Sequence, residues 1–264
     1  MVDFEYKSSY DVEDLRGIVK ILRGEGGCPW DREQTHESIR RDFLEETYEV
    51  VEAIDQKSTE HLLEELGDVL LQVVFHADIE DDAGTFNLDD VADGVCKKLI
   101  LRHPHVFGDV KVADSAEVLK NWDDIKRKEK NQGTVTSAMD SVARSLPALW
   151  RAEKIQKKAA KVGFDWESVD GALDKVAEEA NELREAVKSG SGEAEELGDL
   201  LFSAVNVARF MHADPEEALH GACEKFLKRF SLVEKMAQES GRQMKDMTLS
   251  QLDELWDEAK KQLC

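Results

Sequence analysis

Proline, cysteine and aromatic residues are all scarce in this chain of 264 residues. With only four prolines, long stretches carry nothing that would interrupt an α-helix. The four cysteines, Cys28, Cys96, Cys223 and Cys264, are far apart and form no CxxC pair. Neither a zinc site nor a disulfide framework is therefore indicated, and a reducing, cytoplasmic location is expected. No apolar run approaches the ~18 residues that a membrane helix needs, and "MVDFEYKSSY" holds no apolar signal-peptide core. The reading is a chain without membrane association.

Positive charge is also in short supply. Against 57 Asp and Glu stand 35 Lys and Arg, a net charge of −22. Such a surface repels a polyanion, which excludes nucleic acid as a bulk partner. It would still attract divalent cations, and these can carry a single nucleotide. GxxxxGK[ST] and GxGxxG are absent, and His36, His61 and His76 lack HExxH spacing. P-loop, dinucleotide-binding and zinc-hydrolase chemistry therefore have no support.

What is present is helix-forming. Hydrophobic residues make up 41% and charged residues 35%, the latter against about 25% in average globular proteins. Ala, Leu, Glu and Lys lose little side-chain freedom in a helix, and strand-like alternation is rare. "SIRRDFLEETYEVVEAI" places Ile39, Phe43, Tyr48, Val51 and Ile54 at helical spacing. "HLLEELGDVLLQVVFHA" predicts a helix buried on most sides.

The chain says nearly everything twice. "EETYEVVEAI … EELGDVLL" (45–54, 64–71) returns as "EEANELREAV … EELGDLLF" (178–187, 195–202). "GCPWD" (27–31) is echoed by "GFDWE" (163–167), "CKKLILR" (96–102) by "CEKFLKR" (223–229), and "NWDDIK" (121–126) by "LWDEAK" (255–260). Landmarks repeated in one order mean a duplicated domain. The expectation is an all-α protein with two tandem domains of about four antiparallel helices. Their expected bounds are 1–130 and 137–264, with a polar linker at 131–136.

Helical residues three or four apart share a face. Glu46 with Glu49, Glu65 with Asp68, Glu179 with Glu182, and Glu196 with Asp199 thus present paired carboxylates. Two facing helices of this kind could surround one hard cation such as Mg²⁺ with oxygen ligands. A solvated acidic face would look similar, but here the carboxylates open helices that turn strongly apolar. Continuing that face gives Gln72 and Phe75 in the first half, Ser203 and Asn206 in the second. A polar stripe through an apolar helix indicates an internal site. Gly67 and Gly198, in the two ELGD segments, predict close approach of another helix or a ligand. Lys98 with Arg102 and Lys225 with Arg229 offer paired cations for phosphate oxygens. Trp122 with Lys126 and Trp256 with Lys260 could cover a base. "RHPHVFGD" (102–109) reads as a structured turn rather than a ligand pair.

The pattern Glu45-Glu46-x-x-Glu49 with Glu65-x-x-Asp68, repeated as Glu178-Glu179-x-x-Glu182 with Glu196-x-x-Asp199, resembles the signature of the all-α nucleoside triphosphate pyrophosphohydrolases. Together with "GCPWDREQTH", "RHPHVFGD", "KAAKVGFDWE" and the duplication, essentially the whole chain is similar to the MazG family. The resemblance implies Mg²⁺-dependent hydrolysis, with Mn²⁺ as a substitute, of NTPs and dNTPs to monophosphate and pyrophosphate. It implies broad base specificity, nucleotide-pool housekeeping, and a homodimer whose partner helices complete the domains. Carried over, Glu179, Glu182, Glu196 and Asp199 hold the metal and Glu178 helps deprotonate the attacking water. Lys225, Arg229, Trp256 and Lys260 contact the nucleotide, with Asn206 near it. Glu46, Glu49, Glu65, Asp68, Lys98, Arg102, Trp122 and Lys126 are the counterparts in the first half.

Phe75 stands where the second half has Asn206, so the first site lacks a polar group. The second half departs differently, with 13 residues between Glu182 and Glu196 against 15 between Glu49 and Glu65. The residues themselves leave open a narrower dUTP or phosphoribosyl-ATP pyrophosphatase. They also leave open a non-enzymatic helical module whose acidic faces bind an unknown protein partner.

Overall fold

The computed structural model describes residues 4–129 and 133–263, and these contain no β-strand. The chain divides into two compact units, residues 1–126 and 127–264. Of the segment expected to link two domains, 131 and 132 lie outside the described residues, and Thr134 already caps a helix.

The first unit contains α1 (Val12–Arg23), α2 (Pro29–Glu33), α3 (Arg40–Asp55), α4 (Thr59–Ala83), α5 (Leu88–Arg102), α6 (Pro104–Phe107) and most of α7 (Ser115–Glu129). Local chemistry sets these limits. Asp11 and Asp14 form a reciprocal capping box at the start of α1, and Asn87 and Asp90 form one at α5, which satisfies otherwise unpaired N–H groups. Gly84 ends α4 in the left-handed region at φ 69°. The "HPHVF" segment breaks α5 and restarts as the single turn α6. There His103 Nδ1 bonds the Leu99 carbonyl at 2.6 Å, the structured turn expected of it.

The core of this unit is Val19, Ile39, Val74 and Phe75, with Leu15, Leu71, Ile79 and Leu88 packed against it. Burial of each such side chain stabilises the fold by roughly 1.5–3 kcal/mol. An ion pair between Arg23 and Asp78, both side chains under 9% exposed, ties α1 to α4.

The second unit contains α8 (Val135–Asp140), α9 (Ala148–Ala160), α10 (Val169–Ser189), α11 (Glu193–Phe210), α12 (Pro215–Glu239) and α13 (Leu249–Gln262). It follows the same plan, with α9 matching α1, and α10 to α13 matching α3, α4, α5 and α7. Its counterpart of α5 is longer because no proline interrupts it. Asp214 caps α12 and also accepts a hydrogen bond from Trp150 Nε1 at 2.8 Å, so one carboxylate starts α12 and anchors α9. Gln156 Nε2 donates to the Phe202 carbonyl at 2.8 Å, joining α9 to α11.

Two expectations need correction. α4 is not buried on most sides: Val74, Phe75, Ala77 and Asp78 are, whereas Leu63, Leu66 and Leu70 are exposed. The apolar stripe of α3 behaves alike, buried at Ile39 but exposed at Tyr48, Val51 and Ile54. α1, α3 and α5 pack against α4, and among the described residues the leucines of its N-terminal half remain exposed. The glycines of the ELGD segments are not pressed by a neighbouring helix either. A Cβ at Gly67 or Gly198 would meet no atom of a neighbouring helix within 4 Å among the described residues, which leaves a ligand as the other half of that expectation.

Candidate active site

In the second unit α10 folds back onto α11 through Gly190–Gly192, with Gly190 at φ 71° and Gly192 at φ 84°. Both values lie in the left-handed region that favours glycine, which is why this turn reads "GSG". The hairpin brings carboxylate oxygens of Glu179, Glu196 and Asp199 within 4.8 Å of one another. Glu179 is 5% exposed, and its Oε2 is buried without a hydrogen-bond partner. A buried anion with an unmet acceptor calls for a cation. The oxygen-only donor set fits a hard divalent ion such as Mg²⁺.

Part of that charge is met from within. Lys175 Nζ lies 2.7 Å from Glu178 Oε1 and 2.7 Å from Glu179 Oε1. Bonds to Glu178 and then Glu179 hold the ammonium well above its ordinary pKa. Glu182 lies outside the close trio but feels it. Burial and then the Glu179 charge push its carboxyl up, with Lys175 opposing.

The first unit assembles a different trio. Glu46, Glu49 and Glu65 converge within 4.8 Å, and Asp68 stands beside them. Burial, then the Asp68 and Glu49 charges, raise the Glu46 carboxyl; burial, then Glu49, raise that of Glu65. The spacer difference shifts the carboxylates of the second helix relative to the turn. Both hairpin turns are three residues long, 56–58 and 190–192, so the missing residues come out of the helices. Glu65 stands in the second turn of α4, but Glu196 stands in the first turn of α11. That offset moves Glu196 toward the turn. It does not by itself account for the meeting with Glu179, which lies a turn farther from the hairpin end than Glu182.

The cations and tryptophans also converge, in their own groups. Arg229 lies 5.9 Å from the Trp256 ring centre, and Phe226 packs on the same indole at 5.1 Å. Arg229 Nε is buried without a hydrogen-bond partner. Lys225 is exposed, and Lys260 pairs with Asp257 at 2.6 Å. In the first unit Arg102 and Lys126 both sit over Trp122, at 5.2 and 4.6 Å, while Lys98 is exposed. Lys225, Arg229 and Lys260 make no ion pair with Glu179, Glu182, Glu196 or Asp199 among the described residues. The carboxylate hairpin and the cation–indole group are separate clusters of one unit.

Further along α11, Asn206 is half-buried and its Oδ1 accepts two hydrogen bonds from Arg209, from Nε at 3.0 Å and Nη2 at 2.8 Å. Arg209 also grips Asp165 of the GFDWE segment, with Nη1 at 2.9 Å. The same positions of α4 hold Phe75, in the core, and Asp78, paired with Arg23.

Residues 34–107 and 167–233 match the family described as "MazG nucleotide pyrophosphohydrolase domain". The chain belongs to the MazG family. It is 46% identical over 248 residues, 94% of this chain and 95% of the relative, to "Nucleoside triphosphate pyrophosphohydrolase/pyrophosphatase MazG" of Thermotoga maritima. It is 44% identical over 256 residues, 95% and 97% of the two chains, to "Nucleoside triphosphate pyrophosphohydrolase" of Escherichia coli K12. It is also 51% identical over 254 residues to "Uncharacterized protein YabN" of Bacillus subtilis, of which it spans about half, 52%.

The two MazG matches enclose both carboxylate sets together with Lys98, Arg102, Asn206, Lys225 and Arg229. They end before Trp122, Lys126, Trp256 and Lys260. Two residues of this MazG chain escaped the sequence reading. Lys175 lies one turn before Glu179, where the first half has Asp42, and that charge reversal was a usable signal. Arg209 had a weaker one, Asp78 at its place. No helix among the described residues is long and apolar enough to cross a membrane.

Proposed function

We propose that this chain hydrolyses nucleoside and deoxynucleoside triphosphates between the α- and β-phosphates, giving monophosphate and pyrophosphate. The second unit carries the activity, base specificity is broad, and the role is upkeep of the cytoplasmic nucleotide pool. The domains are bounded at 1–130 and 137–264. The observation that carries the reading is the convergence of Glu179, Glu196 and Asp199 around a buried, unpartnered carboxylate oxygen in a MazG chain.

Glu179, Glu182, Glu196 and Asp199 hold Mg²⁺, or Mn²⁺ in its place, and their counterparts in the first unit are Glu46, Glu49, Glu65 and Asp68. The bound ion supplies Lewis acidity and a water of lowered pKa. Glu178, exposed beside the site and paired with Lys175, is placed to take a proton from the attacking water. Lys225, Arg229 and Lys260 neutralise the polyphosphate, and Trp256 offers a face to the base. Lys98, Arg102, Lys126 and Trp122 are the equivalent set in the first unit.

The carboxylate hairpin and the cation–indole group lack a direct link within one unit, which favours a homodimer that completes the site. Exposed apolar side chains on the hairpin helices agree, among them Leu63, Leu66, Leu197 and Leu201. No nucleic acid takes part.

The test is ³¹P NMR of the purified protein with Mg²⁺ and, in turn, ATP, GTP, dUTP and dCTP. Pyrophosphate plus monophosphate is expected, at similar rates for all four. Diphosphate plus orthophosphate would place cleavage at the wrong bond, and no turnover would favour a binding module. Light scattering at working concentration checks the dimer.

A further inference from the structure

Resting on that reading, we infer that Arg209 is a positioning residue that locks the Asn206 amide so that it presents only N–H donors, and that this amide reads a hydrogen-bond acceptor on the nucleoside part of the substrate. An amide can normally face a ligand with either end, because its oxygen and nitrogen are nearly the same size. Here it cannot. Arg209 donates to Asn206 Oδ1 from both Nε and Nη2, at 3.0 and 2.8 Å. A guanidinium has five donors and no acceptor, so a flipped amide would set N–H against N–H. The guanidinium is itself fixed, because Asp165 takes its Nη1 and Nη2 hydrogens and the Arg209 side chain is only 12% exposed.

Oδ1 is thereby held by the guanidinium, and Nδ2 meets no acceptor among the described residues. Asn206 follows Asp199 by two helical turns, on the same face of α11, about 10 Å along the axis. That is the span from a phosphate chain held at the carboxylates to a nucleoside. The first unit offers no such reader. Phe75 fills the equivalent place under the Arg23 guanidinium, at 5.4 Å, and Asp78 replaces Arg209.

The experiment is steady-state hydrolysis by the full chain carrying Asn206→Ala, Arg209→Met, Arg209→Lys, the Asn206→Ala/Arg209→Met pair, and Asn206→Asp. Substrates are the four common ribonucleoside triphosphates and 2′,3′-dideoxy-ATP. KM should rise about tenfold in Asn206→Ala and Arg209→Met while kcat stays within about twofold, the scale of one lost hydrogen bond. The double variant should be no worse than either single one, because Arg209 acts through Asn206. Arg209→Lys, which keeps one donor to Oδ1, should recover part of the loss. Asn206→Asp keeps the acceptor for Arg209 but loses the donors, so its KM should rise as well, which tests the idea even if Arg209→Met fails to fold.

A rise that differs among bases puts the acceptor on the base. An equal rise that vanishes with the dideoxynucleotide puts it on a sugar hydroxyl. Equal rises for every substrate, additive effects in the double variant, or an unchanged KM in Asn206→Ala would overturn the inference. Wild-type protein without turnover would remove the proposed function and this inference together, whereas an active wild type with unmoved variants removes only the latter.

Discussion

Lys175 Nζ lies 2.7 Å from Glu179 Oε1, so the second carboxylate cluster carries its own internal cation. The Glu179 side chain is 6% exposed and that of Lys175 34%. At the matching position the first unit has Asp42, an acid in place of the cation. A metal held at the second cluster, as proposed, would compete with that ammonium.

Replacing Lys175 with Met should therefore tighten Mg²⁺ or Mn²⁺ binding at the second site. It should also lower the melting temperature of the metal-free protein, because Glu179 is left buried and uncompensated. Calorimetric titration with Mn²⁺ and thermal melts with and without metal check both. Weaker metal binding in the variant would show that Lys175 does not compete.

Glu179→Ala should lower turnover by at least about 100-fold, since even groups behind a metal ligand are worth 10- to 100-fold. Glu46→Ala should leave turnover within a few-fold of wild type, because Phe75 and the Arg23–Asp78 pair stand where the second unit has Asn206 and Arg209. Equal losses in the two variants would mean that both units work.

Metal binding should also depend on pH in a defined direction. Burial first, and then neighbouring carboxylates, raise the Glu46, Glu65 and Glu182 carboxyls. Such groups favour the folded state when protonated, and that contribution is lost as pH rises through their folded-state values. A cation binds the ionised form and removes the repulsion. The Mg²⁺-induced rise in melting temperature should shrink toward acidic pH, as these groups take up protons, and be larger near pH ~8. A shift that shrinks with rising pH would contradict the assignment of these groups as ligands.

The first unit should be acid-sensitive for a separate reason. His36 Nδ1 lies 2.7 Å from His76 Nδ1, and His36 Nε2 lies 2.7 Å from Glu80 Oε1. One proton suffices for each contact, and burial followed by the His36 charge pushes the His76 pKa down. A lowered folded-state value means stability is present above about pH 6.5 and lost as pH falls through the folded value. His76→Gln should flatten that loss in melts between pH ~7 and ~5. An unchanged profile would show that the pair is not the cause.

The repeated carboxylate spacing and the helices that carry it are legible in the sequence, because helical periodicity is local and three-residue offsets share a face wherever they occur. Burial was less legible. Leu63, Leu66 and Leu70 have the composition of a core, yet they lie exposed on the described surface of their own unit. Lys175 was passed over because charged residues one turn apart are common on acidic helices, and only its contact with a buried carboxylate separates it from a surface pair.

By itself the sequence determined an all-helical, duplicated chain with paired carboxylates on each hairpin, since those properties follow from residue type and spacing along one helix. Only the tertiary structure decided that Glu179 meets Glu196 and Asp199 while Glu49 meets Glu46 and Glu65. The reason is physical: which oxygens converge depends on how two helices face one another and on the side-chain conformations between them, and spacing along one helix fixes neither.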